Sequence, residues 1–91
     1  MSEAKRLRRE EALLEVLRLA RNAGDAGIEE RRIVGQAERI LRVSKRTAKS
    51  YVEDLRIRGW ARVAYGNVRV QPTGAAELEE AKRLEAKEVG T

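Results

Sequence analysis

The stretch of residues 43–59 restricts the fold more than any other part of the chain. Its small and apolar side chains recur at helical spacing, which predicts a helix with one face held against a core. Ser44 stands where a hydroxyl can cap free N–H groups at the helix start, and Gly59 can end the helix after about Arg58. The inner stripe comprises Ala48, Tyr51 or Val52, and Leu55. The outer face of this helix is polar and largely basic.

Two further helices are predicted before this one. Residues 3–22 carry an apolar stripe wide enough to face a core, and Ser2 is the candidate N-cap. Residues 28–41 form a second helical stretch, in which Gly35 permits a close helix crossing, the preferred interpretation, or only reflects a short helix. Ile28 could instead contribute a short strand beside a hairpin.

Residues 61–71 carry the pattern of a β-hairpin. Apolar and polar residues alternate over residues 61–65 and 68–71, on either side of Gly66-Asn67, which is expected to form a two-residue turn. The alternation turns Arg62 and Arg69 outward. The residues that it turns inward are Val63, Val68 and Val70.

A last helix is predicted over residues 73–89. Thr73 can cap it, and Glu79 and Arg83 have the spacing of a favourable ion pair. Its mixed charges suit packing on the first helix, either of the same chain or of a second copy. The order helix, helix, helix, hairpin, helix describes a mostly α fold with a small β-hairpin (α+β), in a single domain over residues 1–91.

Cysteine and histidine are both absent from the 91 residues. The chain therefore has no thiolate nucleophile and no imidazole base, and it lacks the common ligands of zinc. No phosphate loop or nucleophile motif is present, so the sequence predicts a protein that is not an enzyme and needs no cofactor. Uncharged runs are too short for a membrane span or a secretory signal, so we expect a cytoplasmic protein without a membrane partner.

The positive charge of the chain is concentrated in one segment. Residues 42–69 hold eight basic and two acidic side chains, a net charge of +6, whereas the remaining residues hold 12 basic and 13 acidic ones, a net charge of −1. A concentrated positive charge indicates a polyanionic partner. A solvated arginine-rich surface is the alternative interpretation of charge alone.

Four features occur together in this sequence: the string V-S-K-R-T-A-K-S-Y-V-E-D-L over residues 43–55, the Gly59-Trp60 exit, the Y-G-N hairpin, and a last helix starting at Thr73-Gly74. In these features the chain resembles the winged helix-turn-helix transcriptional regulators, especially the small archaeal and bacterial MarR-like or PadR-like ones. The resemblance implies a helix-turn-helix over about residues 28–58 with a recognition helix for the major groove of duplex DNA. It also implies a wing over about residues 61–71, and a C-terminal helix (about residues 73–89) that joins the N-terminal helix in a homodimer. The string P-T-G after the wing departs from the more usual L-T-x-x-G.

The resemblance implies a set of DNA-contacting residues. The candidates for base-edge contacts share the outer face near the helix start: Arg46, Lys49 and Ser50. The candidates for phosphate contacts on the helix and the turn before it are Arg42, Lys45 and Thr47, with the capping residue Ser44 beside them. The candidates on the wing, for phosphates or the adjacent minor groove, are Arg62, Asn67 and Arg69.

Alternatives stay open for several residues. Glu53 is expected to pair with Arg46 or Lys49 rather than to read cytosine. Trp60 is expected to pack under the hairpin, with a dimer seam as the alternative, and Tyr65 is undecided between core and surface.

The function predicted from the sequence is sequence-specific binding of double-stranded DNA in transcription regulation, on the nucleoid. The alternatives are a winged-helix module for protein interaction and a non-specific nucleic-acid-binding or chromatin protein. Basic rather than apolar or acidic residues on the outer face of the third helix favour DNA.

Overall fold

Four helices and three short strands make up the part of the chain that the computed structural model describes, which is residues 3–89, with side chains for residues 8–87. In chain order they are α1 Glu3–Asn22, β1 Ile28–Glu29, α2 Glu30–Leu41, α3 Lys45–Ile57, β2 Ala61–Ala64, β3 Asn67–Val70 and α4 Pro72–Val89. The fold is therefore mostly helical with a small antiparallel sheet, which confirms the α+β class. The predicted N-cap Ser2 lies outside the described residues.

The three strands form one antiparallel sheet in the order β1-β3-β2. In the central strand β3, Val68 lies opposite Ile28 of β1 and opposite Val63 of β2. Ile28 thus belongs to a strand, the second of the two alternatives that the sequence left open. Arg62 and Arg69 pair in register and are both exposed, as the alternation predicts.

The hairpin turn lies one residue earlier than predicted. β2 ends at Ala64 and β3 begins at Asn67, so the turn consists of Tyr65 and Gly66 rather than Gly66 and Asn67. Both turn residues have positive φ, 53° and 71°, as a primed two-residue turn requires. Asn67 belongs to β3 because it pairs with Ala64 on one side and with Glu29 of β1 on the other.

One apolar cluster joins the four helices to the sheet. α1 supplies its centre through Leu13, Val16, Leu17 and Ala20, which are fully buried. The other buried members are Ile28, Ile33, Val34, Ala37, Ala48, Tyr51, Val52, Leu55, Ala61, Val68 and Leu78. No polar or charged side chain is buried among the described residues. Burial of the apolar members contributes roughly 1.5–3 kcal/mol for each large side chain.

Close backbone approaches occur at glycines other than the predicted one. Apart from the nearby backbone of its own helix, a Cβ on Gly35 would meet no atom within 4 Å, so the prediction of a close helix crossing there is wrong. A Cβ on Gly74 would lie 2.1 Å from the carbonyl oxygen of Trp60, and one on Gly27 would lie 2.6 Å from that of Val68. These two glycines let α4 and the loop before β1 lie directly against the backbone of the hairpin region.

α4 begins one residue earlier than predicted, at Pro72. Proline suits the first turn of a helix because its missing N–H needs no partner there. Thr73 is therefore inside the helix, and the prediction that it caps α4 is wrong. The Gln71 carbonyl accepts the first helical hydrogen bond, from the Ala75 N–H at 2.9 Å.

The first half of α4 packs on α1. Leu78 is buried in the common core, and Arg21 of α1 lies 3.2 Å from a carboxylate oxygen of Glu79. Arg83 pairs with Glu80, so the predicted pair between Glu79 and Arg83 is wrong. The side chains of residues 82–87 are exposed.

Candidate nucleic-acid interface

A three-residue turn, Arg42 to Ser44, joins α2 to α3. Arg42 takes a left-handed φ of 54° and donates its N–H to the Glu38 carbonyl, which ends α2. The Ser44 Oγ accepts from the Thr47 N–H at 3.1 Å and donates to the Thr47 Oγ1 at 3.0 Å, which confirms Ser44 as the N-cap of α3. These bonds satisfy backbone N–H groups on both sides of the turn, and they define where α2 ends and α3 begins.

α3 has two chemically different faces. Its inner face consists of Ala48, Tyr51, Val52 and Leu55, all buried in the core. Its outer face carries three exposed cations, Lys45, Arg46 and Lys49. Within residues 8–87 none of these three side chains makes an ion pair or a hydrogen bond. The helix is therefore held by one face and presents unpaired positive charge on the other.

An open groove runs between the start of α2 and the outer face of α3, and we call it the α2–α3 groove. α3 lines it with Lys45, Arg46, Lys49, Ser50 and Glu53, and α2 lines it with Glu30, Arg31 and Val34. Four of these side chains are basic and two are acidic, a net charge of +2. Arg31 is not among the sequence-predicted site residues, because its place beside α3 depends on how the two helices pack.

Glu53, one of the two carboxylates in the groove, is held by Arg56. The Arg56 Nε donates to both carboxylate oxygens at 3.1 Å. These hydrogen bonds lower the pKa of Glu53. The predicted pairing of Glu53 with Arg46 or Lys49 is therefore wrong.

Arg9 of α1 bonds to the side of α3. Its Nε and Nη2 lie 3.0 and 2.9 Å from Asp54 Oδ2, and its guanidinium lies 5.0 Å from the centre of the Tyr51 ring. Its Nη2 also donates to Ser50 Oγ at 3.5 Å, and Ser50 Oγ donates to the Thr47 carbonyl at 2.7 Å. Ser50 thus lines the groove, but its hydroxyl is bonded within the chain rather than turned freely outward. These long-range contacts of Arg9 could not be predicted from helical spacing.

Arg58, just after α3, is bound to α1. Its Nη1 and Nη2 donate to the two carboxylate oxygens of Glu10 at 2.7 and 2.6 Å, and these bonds raise the pKa of Arg58. The guanidinium also lies 4.9 Å from the centre of the Trp60 ring, which is half-buried against the core. Arg56 and Arg58 are therefore neutralised by neighbours, whereas the outer cations of α3 are not.

The hairpin of β2 and β3 carries the other predicted site residues. Arg62 is exposed and has no ion pair within residues 8–87. The Asn67 Nδ2 donates to the Ala26 carbonyl at 2.9 Å, and the Arg69 Nε donates to the Asp25 carbonyl at 3.0 Å. These two side chains brace the hairpin against the loop before β1, which leaves only part of their hydrogen-bonding capacity for an external partner.

The hairpin turn is bonded to the α2 end of the groove. The N–H of Glu30, the first residue of α2, donates to the Gly66 carbonyl at 2.8 Å. Glu30 and Arg31 also line the α2–α3 groove, so the hairpin tip and the groove are neighbours. Tyr65, beside Gly66, is fully exposed, which places it on the surface rather than in the core.

The described residues contain neither a metal-binding cluster nor a membrane-spanning helix. No three acidic side chains converge in residues 8–87 in a way that could hold a metal ion. None of the helices in residues 3–89 has both the length and the hydropathy needed to cross a bilayer. The chemistry that the groove offers is electrostatic attraction and hydrogen-bond donation to an anion.

Comparison with protein-family models, with curated proteins and with solved structures finds no match for this chain. The class that its geometry defines is a small α+β protein with a core-anchored helix and an unpaired cationic face. That face is the basis for the functional proposal.

Proposed function

We propose that this chain is a winged-helix protein that binds duplex DNA in a sequence-specific manner and regulates transcription. In this proposal α2 and α3 form a helix-turn-helix and α3 enters the major groove. The β2–β3 hairpin is the wing and contacts the backbone or the minor groove beside it. The protein needs no cofactor for this task and acts on the nucleoid.

The observation that carries the proposal is the outer face of α3. Lys45, Arg46 and Lys49 are exposed and unpaired among the described residues, while the opposite face of the same helix is buried. A helix with its side chains, about 10–12 Å across, fits a major groove about 12 Å wide. Unpaired cations on such a helix attract phosphates, and an arginine can bind guanine through two hydrogen bonds.

The roles of the residues follow from their positions. Arg46 and Lys49 are the base-reading residues, because they lie on the outer face near the helix start. Lys45 and Arg42 contact phosphates beside them. Arg31 adds a phosphate contact from α2, across the α2–α3 groove. The hydroxyl groups of the cap bond to each other and hold the helix start in place.

A homodimer through α1 and α4 is part of the proposal. The side chains of residues 82–87 in α4 are exposed, and the exposed fraction of Leu84 is 51%. In the proposed dimer a second copy covers this apolar side chain, and binding to two half-sites requires the two α3 helices to lie about one DNA turn, roughly 34 Å, apart. Light scattering at the concentration used for DNA binding tests the dimer, and a monomeric mass would contradict it.

The DNA proposal is tested with two double variants that remove the same charge. Arg46→Ala with Lys49→Ala changes the α3 face, whereas Arg32→Ala with Arg39→Ala removes two exposed cations of α2 that do not line the α2–α3 groove. Fluorescence anisotropy measures binding to a duplex selected from a random pool and to a random-sequence duplex, over a range of salt. The α3 variant should lose roughly 5- to 150-fold in affinity for the selected duplex, the effect of one bidentate base contact. The variant with alanine at Arg32 and Arg39 should keep the parental preference.

Three results would decide against the proposal or narrow it. Absence of duplex binding by the parent would contradict it and favour a protein-interaction module. Parental affinity and preference in the α3 variant would show that α3 is not the reading helix. Equal affinity of the parent for selected and random duplexes would identify a non-specific nucleic-acid-binding protein, which contacts phosphates alone.

A further inference from the structure

Tyr65 combines a strained backbone with a side chain that packs against nothing in the described part of the chain. It is the first residue of the hairpin turn and has a φ of 53°. In this left-handed region the Cβ crowds the following carbonyl, and glycine, asparagine or aspartate is the usual residue. The tyrosyl side chain is fully exposed, so burial does not compensate the strain. A smaller residue would therefore serve the fold better than tyrosine does.

The turn that carries Tyr65 is held rigidly. The Gly66 carbonyl accepts from the Glu30 N–H at 2.8 Å. At the start of β3, the side chains of Asn67 and Arg69 bond to backbone carbonyls of the loop before β1. The exposed ring is therefore carried by a turn that is hydrogen-bonded to α2 and to the loop before β1, rather than by a free loop.

The same turn has cations on both neighbouring elements. On one side, Glu30 leads into the α2–α3 groove, which Arg31 and the outer cations of α3 line. On the other side, Arg62 is exposed and lies opposite Arg69 in the hairpin. The residues of β1 and α2 that adjoin the turn, Glu29 and Glu30, are acidic, but the cations of the groove and of the hairpin outnumber them. The net charge around the hairpin tip therefore favours a polyanion as its partner.

We propose that Tyr65 contacts the duplex DNA bound at the α2–α3 groove, with its ring against a deoxyribose and its hydroxyl donating to a phosphate oxygen. This inference rests on the proposed function. Tyrosine suits the role because it joins an apolar ring to a polar tip, and its hydroxyl is a common donor to phosphate. With only two side-chain torsions and a rigid turn, Tyr65 loses little conformational entropy on binding.

The variant Tyr65→Asn gives two readouts of opposite sign. Asparagine tolerates positive φ better than tyrosine, so the variant should unfold at a higher temperature, by roughly 2–6 °C. The same variant should bind a fluorescein-labelled duplex about fivefold to tenfold more weakly than the parent, as expected for loss of one tyrosine contact. A purely structural role would change stability and affinity in the same direction.

Two further variants act as controls. Tyr65→Phe keeps the ring and the strained turn, so its affinity should lie between those of the parent and Tyr65→Asn. Ile57→Asn removes an apolar side chain that is 66% exposed and lies outside the groove, and it should leave duplex affinity unchanged.

If Tyr65→Asn unfolds at a higher temperature but binds the duplex with parental affinity, the inference about Tyr65 is overturned. The proposed function is not affected by that result. A lower unfolding temperature with weaker binding would also overturn it, because Tyr65 would then be structural. A parent without affinity for duplex DNA would overturn the proposed function as well, so the two failures are distinguishable.

Discussion

Alanine at Gly35 and alanine at Gly74 are expected to change stability in opposite directions. Gly35 lies inside α2 and Gly74 lies in the first turn of α4. A Cβ at Gly35 would meet no atom within 4 Å, whereas one at Gly74 would lie 2.1 Å from the oxygen and 2.9 Å from the carbon of the Trp60 carbonyl. The same chemical change thus removes backbone freedom at both sites but creates a clash at only one.

The magnitudes follow from these distances. Alanine at Gly35 should raise the free energy of unfolding by roughly 0.5–1 kcal/mol, the usual difference inside a helix. At Gly74 the added Cβ must move by about 0.9 Å, from 2.1 Å to the 3.0 Å that real contacts respect. The Trp60 carbonyl cannot move away freely, because it accepts from the Gln71 N–H at 2.9 Å. Overpacking and a weakened hydrogen bond together should lower the free energy of unfolding by about 2–4 kcal/mol.

Thermal unfolding followed by circular dichroism measures both changes at one protein concentration. For a domain of this size 1 kcal/mol corresponds to roughly 4–8 °C in Tm, so Gly35→Ala should raise Tm by about 2–8 °C and Gly74→Ala should lower it by about 8–30 °C. Urea midpoints with an unchanged m-value would confirm that stability is what changes. A Tm for Gly74→Ala within about 2 °C of the parent, or a decrease for Gly35→Ala, would refute the packing argument.

Two other predictions concern α3. Ser44→Ala removes the cap on the Thr47 N–H and should lower the free energy of unfolding by about 1 kcal/mol, whereas Ser44→Gly should cost only a few tenths; equal urea midpoints for Ser44→Ala and the parent would count against the cap. Glu53→Gln removes a negative charge from the groove and frees Arg56, so it should tighten duplex binding at low salt and have little effect at high salt, and weaker binding in an anisotropy titration would contradict this. The hydrogen bond from Arg56 lowers the pKa of Glu53 from its ordinary value of 4.5. The ion pair therefore contributes stability above that pH and is lost only as the pH falls through the lowered value. Acidification of the parent to about pH 5 should thus not reproduce the tighter duplex binding expected of Glu53→Gln.

The part of the fold that could be predicted from the sequence is the part with local determinants. α3 is the clearest case, since Ser44, the buried stripe and Gly59 all lie within one short segment. The alternation of residues predicts the hairpin strands, but the turn chemistry places the turn one residue too late. Residue chemistry favours a Gly66-Asn67 turn, whereas the backbone pairing of Asn67 with Glu29, far away in the chain, makes Asn67 part of a strand.

The residues of the candidate site also divide into those that local sequence patterns predict and those that depend on contacts between distant parts of the chain. The outer cations of α3 follow from helical periodicity, so the sequence is enough to expect them on one face. Arg31 and Arg9 were missed because their relation to α3 depends on how helices distant in the chain pack together. The misjudged role of Gly35 has a similar cause, because a small residue in a helix does not by itself tell where another element approaches.

The bonds that brace the hairpin also determine what binding would cost. Glu30 holds the turn, and Asn67 and Arg69 hold the first part of β3, before any partner arrives. A flexible arm would have to be ordered on binding, at about 0.5–1.5 kcal/mol for each side chain that is immobilised. Most of that ordering is already complete in the free protein. Association should therefore be limited by diffusion and orientation rather than by the folding of a loop, and the amides of the hairpin should exchange slowly with solvent even in the absence of DNA.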